Sequence, residues 1–235
     1  GAHRLRDADG KTLNHQSGVS CFAEYAVVHR GSVVVIDKSL PLHEAAIFGC
    51  AVMTGAGAVL NTARIRAGDT VAIVGLGGVG LNGLLGAKLA GAETIVAIDL
   101  SNAKLGLASQ LGATHTVNAS DPDHIEQVRE ITGGGVDFAF ELAGSIKAME
   151  TAYNCACHGG SVVTAGLSPS GAQFSFEQGD LVSFEKSIRG SYMGSCVPVR
   201  DIPRFIKLYQ QGRFPVDRLI DATIGLDDVN AGFDA

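Results

Sequence analysis

The stretch Thr70-Val-Ala-Ile-Val-Gly-Leu-Gly-Gly-Val-Gly80 decides the fold of this chain. Its first half, Thr70 to Val74, is rich in β-branched residues and predicts a short buried strand. Its second half, Gly75 to Gly80, satisfies the pattern G-x-G-x-x-G, and a helix is predicted directly after it, from Val79 to Ala90. A strand that runs through this pattern into a helix is typical of a dinucleotide-binding turn.

The three glycines of the pattern have separate expected roles. Gly75 permits a tight turn, Gly77 lets the backbone approach a pyrophosphate, and Gly80 lets the helix pack closely on the strand. Unpaired amides at the helix start, from Val79 to Leu81, are expected to face the phosphates with a favourable dipole.

Asp99 is the expected partner of the cofactor ribose. It follows Gly80 by 19 residues and comes directly after a second predicted strand. A carboxylate there accepts hydrogen bonds from ribose hydroxyls and repels a 2′-phosphate, which favours NAD over NADP. Lys104, with Ser101 and Asn102, leaves some tolerance for NADP. The alternative is a glycine-rich turn followed by an aspartate that only caps a helix.

Apolar strands alternate with helices along the middle of the chain, which predicts an α/β fold with a doubly wound parallel sheet. Strands are predicted at Thr70 to Val74, Thr94 to Ile98, Thr114 to Val117, Val136 to Phe140, Ser161 to Ala165 and Ile188 to Tyr192. Helices are predicted at Val79 to Ala90, Asn102 to Leu111, Asp123 to Ile131 and Ser145 to Cys155.

The flanking segments are less regular in pattern. The predictions there are irregular chain over Gly1 to Gly18, strands at Phe22 to Val28 and Val33 to Ile36, a helical connector over Pro41 to Leu60 interrupted near Gly55 and Gly57, a helix at Asp201 to Gln211, and a turn and strand over Gly212 to Ile224.

Composition excludes several classes of partner. A net charge of -6 without a basic tract excludes a nucleic-acid partner. No apolar run approaches the ~20 residues that span a bilayer, so no membrane partner is expected. Five cysteines without regular spacing indicate reduced thiols and a cytoplasmic location. A small molecule is the expected substrate.

Three segments together resemble the zinc-containing medium-chain alcohol dehydrogenases. They are Phe48-Gly-Cys-Ala-Val-Met-Thr-Gly55, Gly57-Ala-Val-Leu-Asn-Thr-Ala63 and the turn Gly75 to Gly80. Supporting segments in the same order are Phe22-Ala-Glu-Tyr25, Leu111-Gly-Ala-Thr114, Gly133-Gly-Gly-Val-Asp137 and Gly190-Ser-Tyr-Met-Gly194. Within that family the chain looks closest to the branch of class III, glutathione-dependent formaldehyde dehydrogenases and related aryl or aliphatic alcohol dehydrogenases.

The resemblance implies an NAD-linked oxidoreductase that takes hydride from an alcohol, or from a hydroxymethyl thiol adduct such as S-(hydroxymethyl)glutathione. It places Cys50 as a ligand of a catalytic zinc that acts as a Lewis acid, and Thr54 as a catalytic residue beside the nicotinamide. It also implies a homodimer paired through the strand at Gly190 to Gly194. The implied cofactor-binding residues are Gly75, Leu76, Gly77, Gly78, Val79, Gly80, Asp99 and Lys104.

Other parts of the family pattern are missing. The first cysteine ligand, the Gly-His-Glu segment and the four-cysteine structural zinc loop are not found, so we expect a fragment that lacks the first half of the catalytic domain and the extreme C-terminus. The expected domains are residues 1–55 as remnants of a mostly β, GroES-like catalytic domain with a connector helix and 56–195 as an NAD-binding Rossmann domain. Residues 196–235 are expected to form the end of the nucleotide-binding domain and a truncated return toward the catalytic domain.

Two other functions remain open at this point. The first is an NAD-binding module without catalysis, because two of the zinc ligands and the proton relay of the family are missing. The second is a zinc-free medium-chain reductase in which Cys50 is incidental. Cys155-Ala-Cys157-His158 lacks a partner pair for a metal and is interpreted as packing residues, like Cys21 and Cys196. Glu141 is expected at the carboxyl end of the sheet, where it either faces a ligand or caps and pairs.

Overall fold

The computed structural model of the chain describes residues 5–13, 19 and 22–234. These residues form two compact units, one within residues 1–38 and 221–235 and the other comprising residues 39–220. In chain order the helices and strands are β1 (Leu5–Arg6), β2 (Thr12–Leu13), α1 (Leu42–Ala45), α2 (Ala51–Gly57), β3 (Thr70–Val74), α3 (Gly78–Ala90), β4 (Thr94–Asp99), α4 (Asn102–Leu111), β5 (His115–Asn118), α5 (His124–Thr132), β6 (Val136–Glu141), α6 (Ile146–Cys155), β7 (Ala156–Thr164), α7 (Gln178–Ser183), β8 (Ser187–Gly190), α8 (Pro198–Gln210) and α9 (Val229–Asp234).

The larger unit is built on a six-stranded parallel sheet in the order β5-β4-β3-β6-β7-β8. The chain winds outward from β3 to β5 and then, starting again at β6, outward in the other direction to β8. The predicted doubly wound α/β fold is therefore confirmed, with the reversal of direction between β3 and β6.

Both faces of the sheet are covered by helices. Crossovers between parallel strands are right-handed, so α3 and α4 lie on one face and α5 and α6 on the other. The contacts agree, since α3 packs on α4 and α5 packs on α6. This double cover explains the apolar strand sequences, because Val71, Ala72 and Ile73 of β3 are fully buried.

The predicted strands and helices of the sheet region are all present. β3 and α4 have the predicted bounds, and the largest difference is β7, which begins at Ala156 rather than Ser161. The early start reflects an irregularity in pairing with β6, where Ala156 pairs with Val136 but Ser161 already pairs with Phe138. An irregularity of this kind depends on two strands and has no signal in either one alone.

The predicted strands at Phe22 to Val28 and Val33 to Ile36 are wrong. The chain there has no regular structure apart from a 3₁₀ turn at Arg30–Ser32. Tyr25, Val27 and Val35 are each at least 90% exposed. β-branched residues favour a strand only when a neighbouring strand and a buried face are available, and the described residues provide neither here.

Two further flanking predictions need correction. Gly212 to Ile224 contains no strand but a 3₁₀ turn at Val216–Leu219, which begins after Pro215 and is closed by the Ile220 amide donating to the Asp217 carbonyl. At the N-terminus, Gly1 to Gly18 was expected to be irregular, yet its described part contains the short antiparallel pair of β1 and β2. Residues 1–4 and 14–18 lie outside the described part.

The helical connector is interrupted at a different place from the one predicted. A 3₁₀ turn at Ala46–Gly49 ends at Cys50, α2 follows, and a π-helical turn at Ala58–Ala63 continues it without a break at Gly55 or Gly57. Those two glycines instead allow other segments to approach. A Cβ atom on Gly55 would collide with the Val79 carbonyl oxygen and lie 2.7 Å from the Gly83 nitrogen. Helices α2 and α3 therefore pack backbone against backbone.

No single helix among the described residues combines the length and apolarity needed to cross a bilayer. Leu42–Gly49 and Ala51–Ala63 reach these limits only when taken together, and the two segments are bent by 48° to one another.

Candidate cofactor-binding site

The turn after β3 can be made only with glycines at two of its positions. Gly75 has φ +92, and a Cβ atom there would lie 2.6 Å from the Ala143 Cβ and 2.8 Å from the Ala143 nitrogen. A Cβ atom on Gly80 would collide with the Gly75 carbonyl oxygen. The turn therefore requires Gly75 and Gly80 for folding, whatever it binds.

Gly77 differs from these two glycines. Its φ is -75, which any residue adopts, and a Cβ atom there would meet no protein atom within 4 Å. Its side-chain space is open, so nothing in the fold demands a glycine at this position. Open space beside a helix N-terminus is where the backbone can approach a pyrophosphate.

The start of α3 has unpaired amides. Gly77 occupies the N-cap position, and no side chain caps the helix. The first N–H groups of a helix have no partner within it, and the helix dipole adds partial positive charge at that end. An anion beside Gly77 to Val79 would accept hydrogen bonds from these N–H groups and would be attracted by the partial positive charge.

Asp99 ends β4 beside this turn. Its carboxylate accepts hydrogen bonds from the Leu76 amide (N···Oδ2 2.7 Å) and the Ser101 amide (N···Oδ1 2.9 Å). Each oxygen therefore keeps lone-pair capacity for a further donor, such as a ribose hydroxyl. The two bonds orient the half-buried carboxylate and hold it against the turn.

Two pockets flank the reversal point of the sheet. The Asp99 pocket, of about 560 Å³, is lined among others by Gly75, Asp99, Lys104, His124, Ala143 and Ser145. The Thr54 pocket, of about 570 Å³, is lined among others by Cys50, Thr54, Val79, Ala143, Thr164 and Met193. Ala143 lines both pockets, so they meet beside the Gly75 turn. Ligands of open α/β sheets bind in this crevice at the carboxyl ends of the strands.

The Thr54 pocket brings together the two residues predicted for catalysis and metal binding. Cys50 lies at the break before α2 and is exposed, whereas Thr54 is 7% exposed and its amide donates to the Cys50 carbonyl (2.8 Å). The Thr54 hydroxyl contacts the Met193 sulfur at 3.9 Å. In the described part of the chain, no group of three or more His, Cys, Asp or Glu side chains could hold a metal ion. These residues do not by themselves form a zinc site, and Cys50 supplies one ligand at most.

Glu141, at the end of β6, lies directly beneath the Thr54 pocket and is 2% exposed. Its Oε1 accepts hydrogen bonds from the amides of Ala143 (3.0 Å) and Gly144 (2.6 Å), and its Oε2 accepts one from the Thr164 hydroxyl (2.7 Å). Its backbone carbonyl accepts from the Ala165 amide at 3.0 Å. Of the two expectations for Glu141, the structure shows pairing with its own chain, and every one of these partners lines the Thr54 pocket.

Sequence reasoning missed the hydroxyl cluster behind the same pocket. The Thr62 hydroxyl oxygen lies 2.8 Å from that of Ser191 and 2.7 Å from that of Ser195. Met193 and Ser195 have φ +49 and +50, on either side of Gly194 at φ +66. Gly194 is the residue of this left-handed turn that has a sequence signal, because glycine adopts a positive φ without strain. The hydrogen bonds to Thr62 have none, because Thr62 lies about 130 positions away in the chain.

The other cysteines have packing surroundings. Burial raises the pKa of the Cys155 thiol to about 12, although Arg129 and Lys186 act in the opposite direction. Burial, with a smaller contribution from Asp201, raises the pKa of the Cys196 thiol to about 11. Thiols with raised pKa values are poor nucleophiles and poor metal ligands near neutral pH. Cys21 lies outside the described residues.

The sheet, the glycine turn and the two pockets define the class of this protein as one with a Rossmann-type dinucleotide-binding domain. The family follows from comparison with known proteins. Residues 78–211 match the family model described as zinc-binding dehydrogenase, so the chain belongs to that family of oxidoreductases.

Several relatives are alcohol dehydrogenases. The S-(hydroxymethyl)glutathione dehydrogenase of Paracoccus denitrificans is 34% identical over 244 aligned positions, which cover 100% of this chain and 64% of that protein. Alcohol dehydrogenase 2 of Zea mays is 36% identical, over 96% of this chain and 60% of that protein. The crystal structure of benzyl alcohol dehydrogenase from Acinetobacter calcoaceticus superposes with a TM-score of 0.91 at 34% identity, over 97% of this chain and 64% of that one. The chain thus spans somewhat less than two thirds of the length of these relatives.

The open space beside Gly77 leads to a prediction about cofactor affinity. Gly77→Ala is expected to lower the affinity for NADH at least about tenfold, equivalent to about 1.4 kcal/mol, because the methyl group occupies the space of the pyrophosphate. The loss of stability should stay below about 1 kcal/mol, the size of an N-cap effect. Titration calorimetry and urea unfolding measure the two quantities.

The matched control is Gly106→Ala in α4, where a Cβ atom also meets nothing within 4 Å. It should leave NADH affinity unchanged and stabilise the protein by about 0.5–1 kcal/mol, as expected for glycine in a helix interior. Normal NADH binding by Gly77→Ala would show that the turn does not approach the pyrophosphate.

Proposed function

We propose that this chain is the cofactor-binding part of an NAD-linked, zinc-dependent alcohol dehydrogenase. The observation that carries the proposal is the pair of pockets joined at Ala143, with Asp99 in one and Thr54 in the other, on either side of the glycine turn. A dinucleotide has two halves linked by a pyrophosphate, and this crevice offers a pocket for each half with unpaired helix amides between them.

In this proposal each candidate residue has a separate role. Asp99 accepts the hydroxyls of the adenosine ribose, and Lys104 lines the same pocket. The backbone of Gly75, Leu76, Gly77, Gly78, Val79 and Gly80 follows the pyrophosphate. Val79 and Thr54 line the nicotinamide side. When bound, the nicotinamide accepts a hydride from the alcohol carbon.

We propose the domain organisation in the form that the sequence predicts. Residues 1–55 belong to the catalytic domain and its connector helix, and 56–195 to the Rossmann domain. Residues 196–235 form the end of the nucleotide-binding domain and the return toward the catalytic domain. The family match at 78–211 supports a dinucleotide-binding role for the central part.

For the substrate we propose a primary alcohol or a hydroxymethyl thiol adduct such as S-(hydroxymethyl)glutathione. The support is the likeness over the whole chain to the S-(hydroxymethyl)glutathione dehydrogenase of Paracoccus denitrificans.

The charge of Asp99 predicts cofactor preference. The chain should bind NADH much more tightly than NADPH, because a 2′-phosphate would lie against the carboxylate. Asp99→Asn should weaken NADH binding about ten- to a hundredfold, the value of hydrogen bonds to a charged group, and narrow the difference between the two cofactors. Titration calorimetry with both cofactors measures this.

Asp121→Asn is the matched control, since Asp121 is exposed on the loop after β5 and its carboxylate makes none of the hydrogen bonds described here. It should leave both affinities unchanged. Equal affinities of the unmodified chain for NADH and NADPH would contradict the role of Asp99.

We further propose that Cys50 ligates a catalytic zinc together with side chains beyond those described here. Its support is the family match and the position of Cys50 at the rim of the Thr54 pocket. In the zinc-loaded protein, Cys50→Ala should abolish alcohol-dependent NADH formation and lower the zinc content, while NADH binding persists. Cys196→Ala is the control. Unchanged zinc content and turnover in Cys50→Ala would favour a zinc-free reductase.

We propose a homodimer paired through the free edge of β8. Among the residues that the structure describes, β8 pairs with β7 alone, and Tyr192 just beyond it is 79% exposed. An unpaired edge strand is a template for pairing with a second copy. Sedimentation equilibrium should give twice the chain mass of 24.2 kDa. A monomer at micromolar concentration would contradict this proposal.

We also propose a cytoplasmic location and no nucleic-acid or membrane partner. The support is that Cys50, Cys155, Cys157 and Cys196 are all free thiols, as expected in a reducing compartment. Cell fractionation against compartment markers tests the location.

A further inference from the structure

Glu141 is a buried acid that has no cationic partner in the described part of the chain. None of the ion pairs among the described residues includes it, and its side-chain partners are two amides and one hydroxyl, all uncharged. It accepts three hydrogen bonds and donates none, which is the pattern of an ionised carboxylate. A buried charge is costly unless hydrogen bonds compensate it, so its presence here calls for a physical reason.

The hydrogen bonds of Glu141 tie together the two loops that form one wall of the Thr54 pocket. Ala143 and Gly144 follow β6, whereas Thr164 ends β7 and Ala165 follows it. Gly166 packs so closely that a Cβ atom there would lie 2.6 Å from Oε2. The carboxylate therefore lies one layer behind this wall of the pocket.

The charge of Glu141 has an electrostatic effect on a nicotinamide ring in the Thr54 pocket, in addition to the hydrogen bonds of the carboxylate. The nicotinamide ring is cationic in NAD⁺ and uncharged in NADH. A fixed negative charge behind the wall attracts the oxidised ring and leaves the reduced ring almost unaffected, and amide and hydroxyl dipoles reduce its field without cancelling it.

We propose that Glu141 is a positioning residue that shapes the Thr54 pocket and, through its charge, makes the pocket prefer the oxidised nicotinamide. The inference rests on the proposed NAD-binding function and extends it. According to this inference, the chain binds NAD⁺, the form that accepts hydride, in preference to NADH. The preference comes from Glu141, a residue that itself lines neither pocket.

The test is to measure the binding of NAD⁺, NADH and ADP-ribose to the chain and to Glu141→Gln by titration calorimetry. The substitution keeps the size of the side chain and removes the charge. It should weaken NAD⁺ binding on the order of tenfold more than NADH binding, the attraction between unit charges about 10 Å apart at an effective dielectric constant of about 20. ADP-ribose, which lacks the ring, should bind within about twofold of its original affinity, as for groups that do not interact.

Glu141→Asp is the matched control, because it keeps the charge while shortening the side chain. Its ratio of NAD⁺ to NADH affinity should stay close to that of the unmodified chain, even where both affinities fall. Equal losses of NAD⁺ and NADH in Glu141→Gln, or no loss, would overturn the proposal and leave Glu141 a structural residue.

If Glu141→Gln does not fold, Thr164→Val provides the test. This change removes the hydroxyl donor to Oε2 but keeps the carboxylate and the shape of the side chain. The ratio of NAD⁺ affinity to NADH affinity should then increase, because the charge is less compensated. A ratio that stays the same or falls would contradict the role of the charge.

Failure of the proposed function has a different signature. If the unmodified chain binds neither ADP-ribose nor either form of the cofactor, the NAD site itself is wrong. If it binds all three and Glu141→Gln does not discriminate between the oxidised and reduced forms, only the inference about Glu141 is wrong.

Discussion

The pairing of β3 with β6 is the contact on which the rest of the structure depends. These strands start the two halves of the sheet, and their register sets Val74 opposite Glu141. The loops that follow them must then diverge, one into α3 and the other toward α6, and this divergence opens the crevice. The same register brings Ala143 against Gly75, at the distance where only a glycine fits. A shift of one residue would displace Ala143 from Gly75 and remove this fit.

That register also explains how a carboxylate can be retained in an apolar sheet. The strand end of β6 is buried, so its last side chain loses its hydration on folding. Two amides from its own loop and a hydroxyl from β7 replace the lost water. Without Glu141 the amides of Ala143 and Gly144 would lose the carboxylate oxygen that accepts from both of them. A hydrogen bond to a charged group contributes more to stability than one between neutral groups. The buried position of Glu141 and the conformation of the loop after β6 therefore depend on one another.

The sequence was informative wherever a single local rule decided the structure. The strand Thr70–Val74, its glycine turn and the alternation up to β8 follow from periodicity and from the backbone freedom of glycine, and both are local properties. The strand predicted at Phe22 to Val28 is wrong, because strand propensity has no effect without a neighbouring strand. Gly55 was misread as a helix breaker because the approach of α3, which demands a glycine there, comes from elsewhere in the chain.

The candidate site shows the same division. Gly75, Asp99 and Thr54 were identified by motif and resemblance, and the structure brings them to two adjoining pockets. Pairing of Glu141 was one of two expectations, but its partner Thr164 and the serine partners of Thr62 could not be predicted. They lie 23 and about 130 positions away in the sequence and meet these residues only in the folded chain. Hydrogen-bond partners of this kind are set by strand register and helix packing, which single-residue patterns do not encode.

The contact between α2 and α3 connects the glycine turn before α3 with Thr54 and Cys50. Gly55 lies against the Val79 carbonyl and the Gly83 nitrogen, so the first turn of α3 fixes the position of α2. Thr54 precedes that contact by one residue, and its amide is bonded to the Cys50 carbonyl. The helix that we propose to bind the pyrophosphate at its N-terminus therefore also determines where Thr54 and Cys50 lie. Because the interior is close-packed, a displacement of α3 would move both residues with it.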